Sequence, residues 1–411
     1  ENPTSPPLAT VLIRSTTCLR VIGTKPGFEP TNVDTHTYIF PAHVLQQDGA
    51  GLGGRNWGHS GREWDMDPEV VNHASLESRA VADDLMEIPT ISLVLPFDDF
   101  FGVGGIYISG ESVEKNCSIE YLNPDQSPAN PNAAKGFQVE GTVQIVGGSS
   151  TGRWKSNKLS MRLKFDSDLR YPVFNGTIHG DDATRRFDTL VIDARLNNVW
   201  THPSSGQNIL AQYTRDQFPA NLQNAIGGPA PHGRPVHVYI SGIYWGVFPM
   251  HERPDDNFNA EYQGGDNDDY DVMKHRDSTV VHGSATNWNR LTNLSSQDMS
   301  DQSNYDEVIR RLDVKQMIDY LLVNFYCGNT DWSHQNWYAS FNKVIPDGRW
   351  RFHSWDPEHV LKGTGDNVTG DSRGGATRLH SRLKANPEYR LLFADRIQKH
   401  FFNDGGLTPV V

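Results

Sequence analysis

Cysteine is scarce: Cys18, Cys117 and Cys327 are the only three in 411 residues. Three scattered thiols close at most one bridge, which excludes a disulfide framework and a cysteine zinc site. Whether Cys18 and Cys117 pair stays open. Positive charge is also short, with 37 Lys and Arg against 50 Asp and Glu, a net charge of -13. Nucleic acid and anionic membranes are bound through basic surfaces, so neither is expected as the main partner. No apolar run reaches the roughly 18 residues that could span a bilayer. The chain begins at Glu1 with no hydrophobic leader, and is expected to be a piece of a longer modular polypeptide whose targeting signal is not visible. What is present suits a globular protein of two or three domains: 36% hydrophobic and 21% charged residues.

Short strands are expected over residues 8 to 40, with turns at Lys25-Pro26-Gly27 and Glu29-Pro30. A Gly, His, Trp and Asn-rich stretch follows, then a helical segment from Pro68 to Met86 and a β-branched apolar run, IPTISLVLP. Phe137, Val139, Val143 and Ile145 alternate with polar residues as a strand. After a Gly/Ser loop, Leu159, Met161, Leu163 and Phe165 define a second strand, with Lys158, Ser160, Arg162 and Lys164 on its other face. Thr189 to Ala194 reads as a strand, Gln207 to Ile226 as helical, and Val236 to Met250 as a hairpin turning at Ser241-Gly242. Two helices follow, with capping-box spacing at Asn304/Glu307 and Asp313/Gln316, and an amphipathic helix runs from Pro387 to Phe402.

The stretch from Gly328 to Val360 carries the chemistry. Asp331 and Asn336 stand in an Asp-x4-Asn element, and a predicted hairpin leads to Asp356. Hard oxygen ligands at one hairpin edge are the chemistry that holds Mg²⁺ against a phosphate chain. Taken singly, these are ordinary turn and cap residues. Their order argues for more: a β-rich lobe with a glycine loop and a basic strand, a helical lobe, then Asp-x4-Asn, a hairpin and another Asp. Protein kinases have this order of parts. The sequence lacks HRD, DFG and G-x-G-x-x-G, and no glutamate lies between Glu140 and Glu252, so a conventional kinase with a Lys–Glu pair is excluded.

Two other motifs compete. Gly148 to Gly152 fits G-x-S-x-G, but a strand follows where a nucleophile elbow needs a helix. Asp266 to Asp269 suggests calcium, yet Tyr270 and Asp271 break the EF-hand pattern. The histidines show no zinc spacing, and His334 is expected to shape its loop.

GSSTGRWKSNKLSMRLKF, VHVYISGIYWGVFPMHERPDDNF, IDYLLVNFYCGNTDWSHQNWYASF and GRWRFHSWDPE together resemble the CotH family of spore-coat-type atypical kinases. The resemblance runs from about Asp67 to the C-terminus and is nearest to long modular extracellular members. RSTTCLRVIGTKPGFEPTNVDTHTYIF resembles the end of a chitobiase-type β-sandwich. The resemblance implies an α+β, kinase-like two-lobed domain. Its parts would be a sandwich remnant (1–40), a linker and extension packing on the domain (41–135), a β-rich lobe (136–256) and a helical lobe (257–411). It implies Asp331 as the catalytic-loop carboxylate and Asn336 and Asp356 as Mg²⁺ ligands. Lys158 would be the phosphate-binding lysine, Ser149 and Ser150 the loop over ATP, and Glu252 a hinge residue beside the adenine. Glu358 stands where spore-coat members have a second Asp, and Gly147-Gly148 where they have Arg-Gly. The implied activity is transfer of the ATP γ-phosphoryl to Ser or Thr of a secreted or surface protein. The competing expectation is a non-catalytic adhesin or scaffold of the same fold.

Overall fold

Seven strands between Thr90 and Glu252 close into a barrel. The computed structural model describes residues 8–48, 64–72, 78–124, 136–148, 151, 156–165, 178–180, 182–184, 186–200, 202–275, 277 and 279–408. Ahead of the barrel, β1 (Thr17–Val21) and β2 (Asp34–Tyr38) form an antiparallel pair. This pair is what the residues read as a sandwich remnant build. It lies on the outside of the barrel, where the Thr37 amide donates to Glu120 Oε1 at 3.1 Å and its hydroxyl meets Ser92 Oγ at 2.8 Å. All three cysteines are free thiols.

The barrel strands are β3 (Thr90–Val94), β4 (Glu114–Leu122), β5 (Phe137–Ile145), β6 (Met161–Phe165), β7 (Thr189–Ile192), β8 (Gly233–Ile240) and β9 (Ile243–Glu252), in the order β3-β4-β5-β6-β7-β9-β8. Parallel pairing of β3 with β8 closes the ring. The barrel thus draws two strands from residues 90–122, a stretch that the sequence suggests is an extension packing on the lobe. Ile91, Ile119, Val143, Leu163, Leu190 and Val238 are fully buried inside it. Each such side chain contributes about 1.5–3 kcal/mol of burial. Ser241 (φ 47°) and Gly242 (φ 87°) make the two-residue turn between β8 and β9 that their sequence announces. Strand β6 begins at Met161, so Lys158 sits in the bend before the strand and not on its outer face; Arg162 and Lys164 hold that face.

A second core surrounds the helix Val314–Tyr326, in which ten of thirteen residues are buried. Its N-cap is Asp313, which accepts from the Gln316 amide at 3.2 Å as the capping spacing requires. The preceding helix, Gln302–Ile309, is instead capped by Asp301, three residues before the predicted Asn304. Asp301 accepts from Ser303 N at 2.8 Å, and the Asn304 side chain turns back to the Asp298 carbonyl. Against the central helix lies a sheet of β10 (Tyr270–Lys274), β11 (Thr279–His282), β12 (Trp337–Asn342) and β13 (Arg351–Ser354), ordered β11-β10-β12-β13. Strand β13 is an edge, yet its groups are buried. Two glutamines act as the missing strand: Gln316 Oε1 accepts from Phe352 N at 2.8 Å, and Gln223 joins Phe352 O at 2.7 Å and Ser354 N at 3.0 Å. Gln223 belongs to the helix Gln217–Ala225, which therefore fastens the barrel side of the chain to the β12–β13 hairpin.

Candidate active site

The buried helix Val314–Tyr326 ends one turn before Asp331, and a relay of amides fixes the exit. Asn324 Nδ2 donates to Tyr320 O, Asn329 Nδ2 to Asn324 Oδ1 at 2.9 Å, and the Asp331 amide to Asn329 Oδ1 at 3.2 Å. Backbone bonds from Thr330 N to His359 O (3.1 Å) and from Leu361 N to Cys327 O (2.8 Å) lash this loop to the segment after β13. The hairpin between them needs glycine at its tip, because a side chain at Gly348 would collide with the Asn342 carbonyl.

The backbones of Asp331 and Asp356 meet at the Asn336 side chain. Asn336 is buried, and its Nδ2 donates to the Asp331 carbonyl at 2.8 Å and to the Asp356 carbonyl at 3.2 Å. The Asp331 carboxylate accepts from Gln335 Nε2 at 2.8 and 2.9 Å and has His334 Nε2 3.4 Å away. Asp356 takes a left-handed backbone (φ 52°) just before Pro357, a conformation that aspartate tolerates better than most residues. Trp355 beside it spans the two cores, 5.5 Å from the His251 ring on β9 and 4.9 Å from Tyr338 on β12.

The charge around Asp356 is unusual. The residue is exposed, but dense protein around its carboxyl, and then the carboxylates of Glu358, Asp216 and Asp193, push it well above the usual carboxylate range, with Arg195 opposing. Burial and the same two aspartates push Glu358 up to about 7 against a hydrogen bond from Asn197. Burial would raise Asp193 too, but Arg195 and His251 hold it below its ordinary range. Asp193, Asp216 and His251 bring potential ligand atoms within 4.8 Å of one another. The cation lying between the two aspartates is the guanidinium of Arg195, with Nη1 at 3.0 Å from Asp193 Oδ2 and 2.6 Å from Asp216 Oδ2.

Lys274, Arg253 and Arg162 lie within electrostatic reach of one another, and Lys274 within reach of Asp356. Burial and then Arg253 push the Lys274 ammonium down to about 8, with Asp356 acting the other way. Burial and Arg253 also lower Arg162, whose buried Nε has no acceptor among the described residues. Arg253 Nε donates to Tyr338 Oη at 3.1 Å. Burial opposes the Arg253 charge, but Tyr338, Asp255 and Asp188 hold it above its ordinary range, so its repulsion falls on Arg162 and Lys274, and cations so placed are suited to a polyanion. Sequence reading set Arg162 in the basic strand but missed Arg253 and Lys274, which lie in other elements with no spacing signal.

The remaining predicted residues are placed as follows. Lys158 Nζ lies 4.9 Å over the buried Trp245 ring. Glu252, expected beside an adenine, is 2% exposed at the end of β9. Its Oε2 accepts from His232 N (2.8 Å) and faces His232 Nδ1 (3.1 Å), and its Oε1 accepts from Tyr262 Oη (2.8 Å). Ser149 and Ser150 lie outside the described residues. Among the described residues, no helix is long and apolar enough to cross a membrane.

These residues fit a divalent cation. With Nδ2 spent on two backbone carbonyls, Asn336 has its oxygen left to offer, and a cation would relieve the surplus of carboxylate around Asp356. A family model described as CotH kinase protein matches residues 144–409. No curated protein matches the chain.

Proposed function

The chain belongs to the CotH kinase family, and on that premise we propose that it is an atypical protein kinase. It transfers the γ-phosphoryl group of ATP to a Ser or Thr hydroxyl of a secreted or surface protein, within a longer modular polypeptide. The observation that carries this reading is the single amide of Asn336 bonded to the backbones of both Asp331 and Asp356. It ties the backbones of two aspartates 25 residues apart to one side chain, with Gln335 orienting the Asp331 carboxylate and acidic neighbours crowding that of Asp356.

Asp331 receives the acceptor hydroxyl. Its carboxylate is half-exposed, and Gln335 and His334 restrain it, so it can orient the nucleophile without being buried. Asn336 Oδ1 and the Asp356 carboxylate would hold Mg²⁺, which would offset the negative charge of the phosphates. Arg162, Arg253 and Lys274 draw the phosphate chain toward Asp356, and Lys158 steadies it from the barrel end. The net charge of -13 favours a basic acceptor segment.

Incubation of the chain with labelled ATP, Mg²⁺ and Ser/Thr-containing acceptor proteins tests the proposal. Label should appear on hydroxyl side chains and disappear in Asp331→Ala and Asp356→Ala. Undiminished label in Asp356→Ala removes its metal role. A lack of label on every acceptor favours the scaffold alternative.

A further inference from the structure

Arg195 follows β7 by three residues in a left-handed conformation (φ 49°) and is 4% exposed. Its backbone is pinned: Asp193 Oδ1 accepts both from the Arg195 amide at 3.0 Å and from Ser160 Oγ at 2.9 Å. Its side chain is held by one amine alone, the Nη1 that bridges Asp193 Oδ2 and Asp216 Oδ2. The other two donors, Nε and Nη2, are buried and have no acceptor among the described residues.

Those two donors form one edge of the planar guanidinium, the edge that matches two oxygens of a phosphate or carboxylate. A buried charged donor without an acceptor is destabilising, so a guanidinium clamped on one corner with its other edge unpartnered is prepared for a ligand. The clamp is also aligned with the catalytic hairpin. Asp216 immediately precedes the helix Gln217–Ala225, and Gln223 of that helix bonds β13 at Phe352 and Ser354, two residues before Asp356. Arg195 and Asp356 lie close enough to influence each other's charge.

We infer that Arg195 is a phosphate-binding fork, its Nε and Nη2 donating to two oxygens of the terminal phosphates beside Asp356, with Asp193 and Asp216 as positioning residues. The inference deepens the phosphoryl-transfer reading and rests on it for the identity of the ligand. It adds an arginine to the phosphate contact that the proposed function gives to Lys158. Asp193 and Asp216 contact the guanidinium, and Asp356 and Glu358 feel its charge. They would repel a bare phosphate, so the fork accepts phosphate that arrives with a divalent cation.

Calorimetric titration of the full chain with magnesium pyrophosphate tests the fork without requiring turnover. The wild type should bind it, and should bind metal-free pyrophosphate more weakly. Arg195→Lys, which keeps the charge but not the planar edge, should weaken binding about tenfold to a hundredfold, with the fold checked by circular dichroism. Asp216→Asn, which keeps the arginine and loosens its clamp, is the second variant if Arg195→Lys does not fold. It should also bind more weakly, and Asp216→Glu should recover binding. Wild-type affinity in both Arg195→Lys and Asp216→Asn, or no binding by the wild type, would make the cluster a structural ion pair and overturn the inference. Binding that depends on Arg195 in a chain that labels no acceptor would sustain the fork while the kinase reading fails.

Discussion

Replacing Asn336 with alanine separates its two duties. The side chain is 7% exposed, and its Nδ2 gives hydrogen bonds of 2.8 and 3.2 Å to the carbonyls of Asp331 and Asp356. Each such bond contributes about 0.5–1.5 kcal/mol net, so Asn336→Ala should destabilise the chain by about 1–3 kcal/mol in urea unfolding. The two loop segments would also lose their common tie, and an oxygen offered to Mg²⁺ would go. Phosphoryl transfer should then need a higher Mg²⁺ concentration for half-maximal rate. Asn336→Asp is the informative companion. It keeps a ligand oxygen but places a second oxygen against two carbonyls, so it should lose similar stability while holding Mg²⁺ better than alanine does. If Asn336→Ala unfolds at the wild-type midpoint, the bridge carries no load. If its Mg²⁺ requirement is unchanged, Asn336 is not a ligand.

Two further perturbations probe the frame of the site. His353, fully buried on β13, bonds Pro229 O and Ser340 Oγ at 2.8 Å each, and burial pushes its imidazole from 6.5 down to about 4. The unfolded chain binds the extra proton first, so stability present above pH 6.5 should be lost as pH falls toward 4, by up to about 3 kcal/mol. Denaturant midpoints across that range check it, and His353→Gln should flatten the slope. Glu252→Gln places an amide where a buried carboxylate accepts from His232 and Tyr262, and should cost about 3 kcal/mol. An unchanged nucleotide KM in a folded Glu252→Gln would confirm a structural role; a selective rise in KM would restore the hinge role.

Local patterns were readable where neighbours in sequence decide them. The Ser241-Gly242 turn, the Asp313 cap and the alternation of Val143, Ile145, Met161 and Leu163 follow from backbone preference and single-face burial. One short hairpin carries the chain from Asn336 to Asp356, which is why the side chain of Asn336 can reach the backbones of both Asp331 and Asp356. The Asn304 cap was misplaced because Asp301 is an equally good acceptor one turn earlier. The partners of Glu252 were not readable, because His232 and Tyr262 lie on other elements.

By itself the sequence determined the strand and helix periods, the acidic balance and the family, since each is a property of short segments or of composition. Tertiary structure alone decided the barrel closure of β3 on β8, the glutamines that finish the edge of β13, and the clamp of Asp193 and Asp216 on Arg195. In each case the deciding term is a polar or packing contact between residues far apart in the chain. Such contacts leave no periodic trace, because a glutamine that caps a strand and one that faces water have the same local surroundings in sequence. Only the fold shows which amide and which charge is left without a partner.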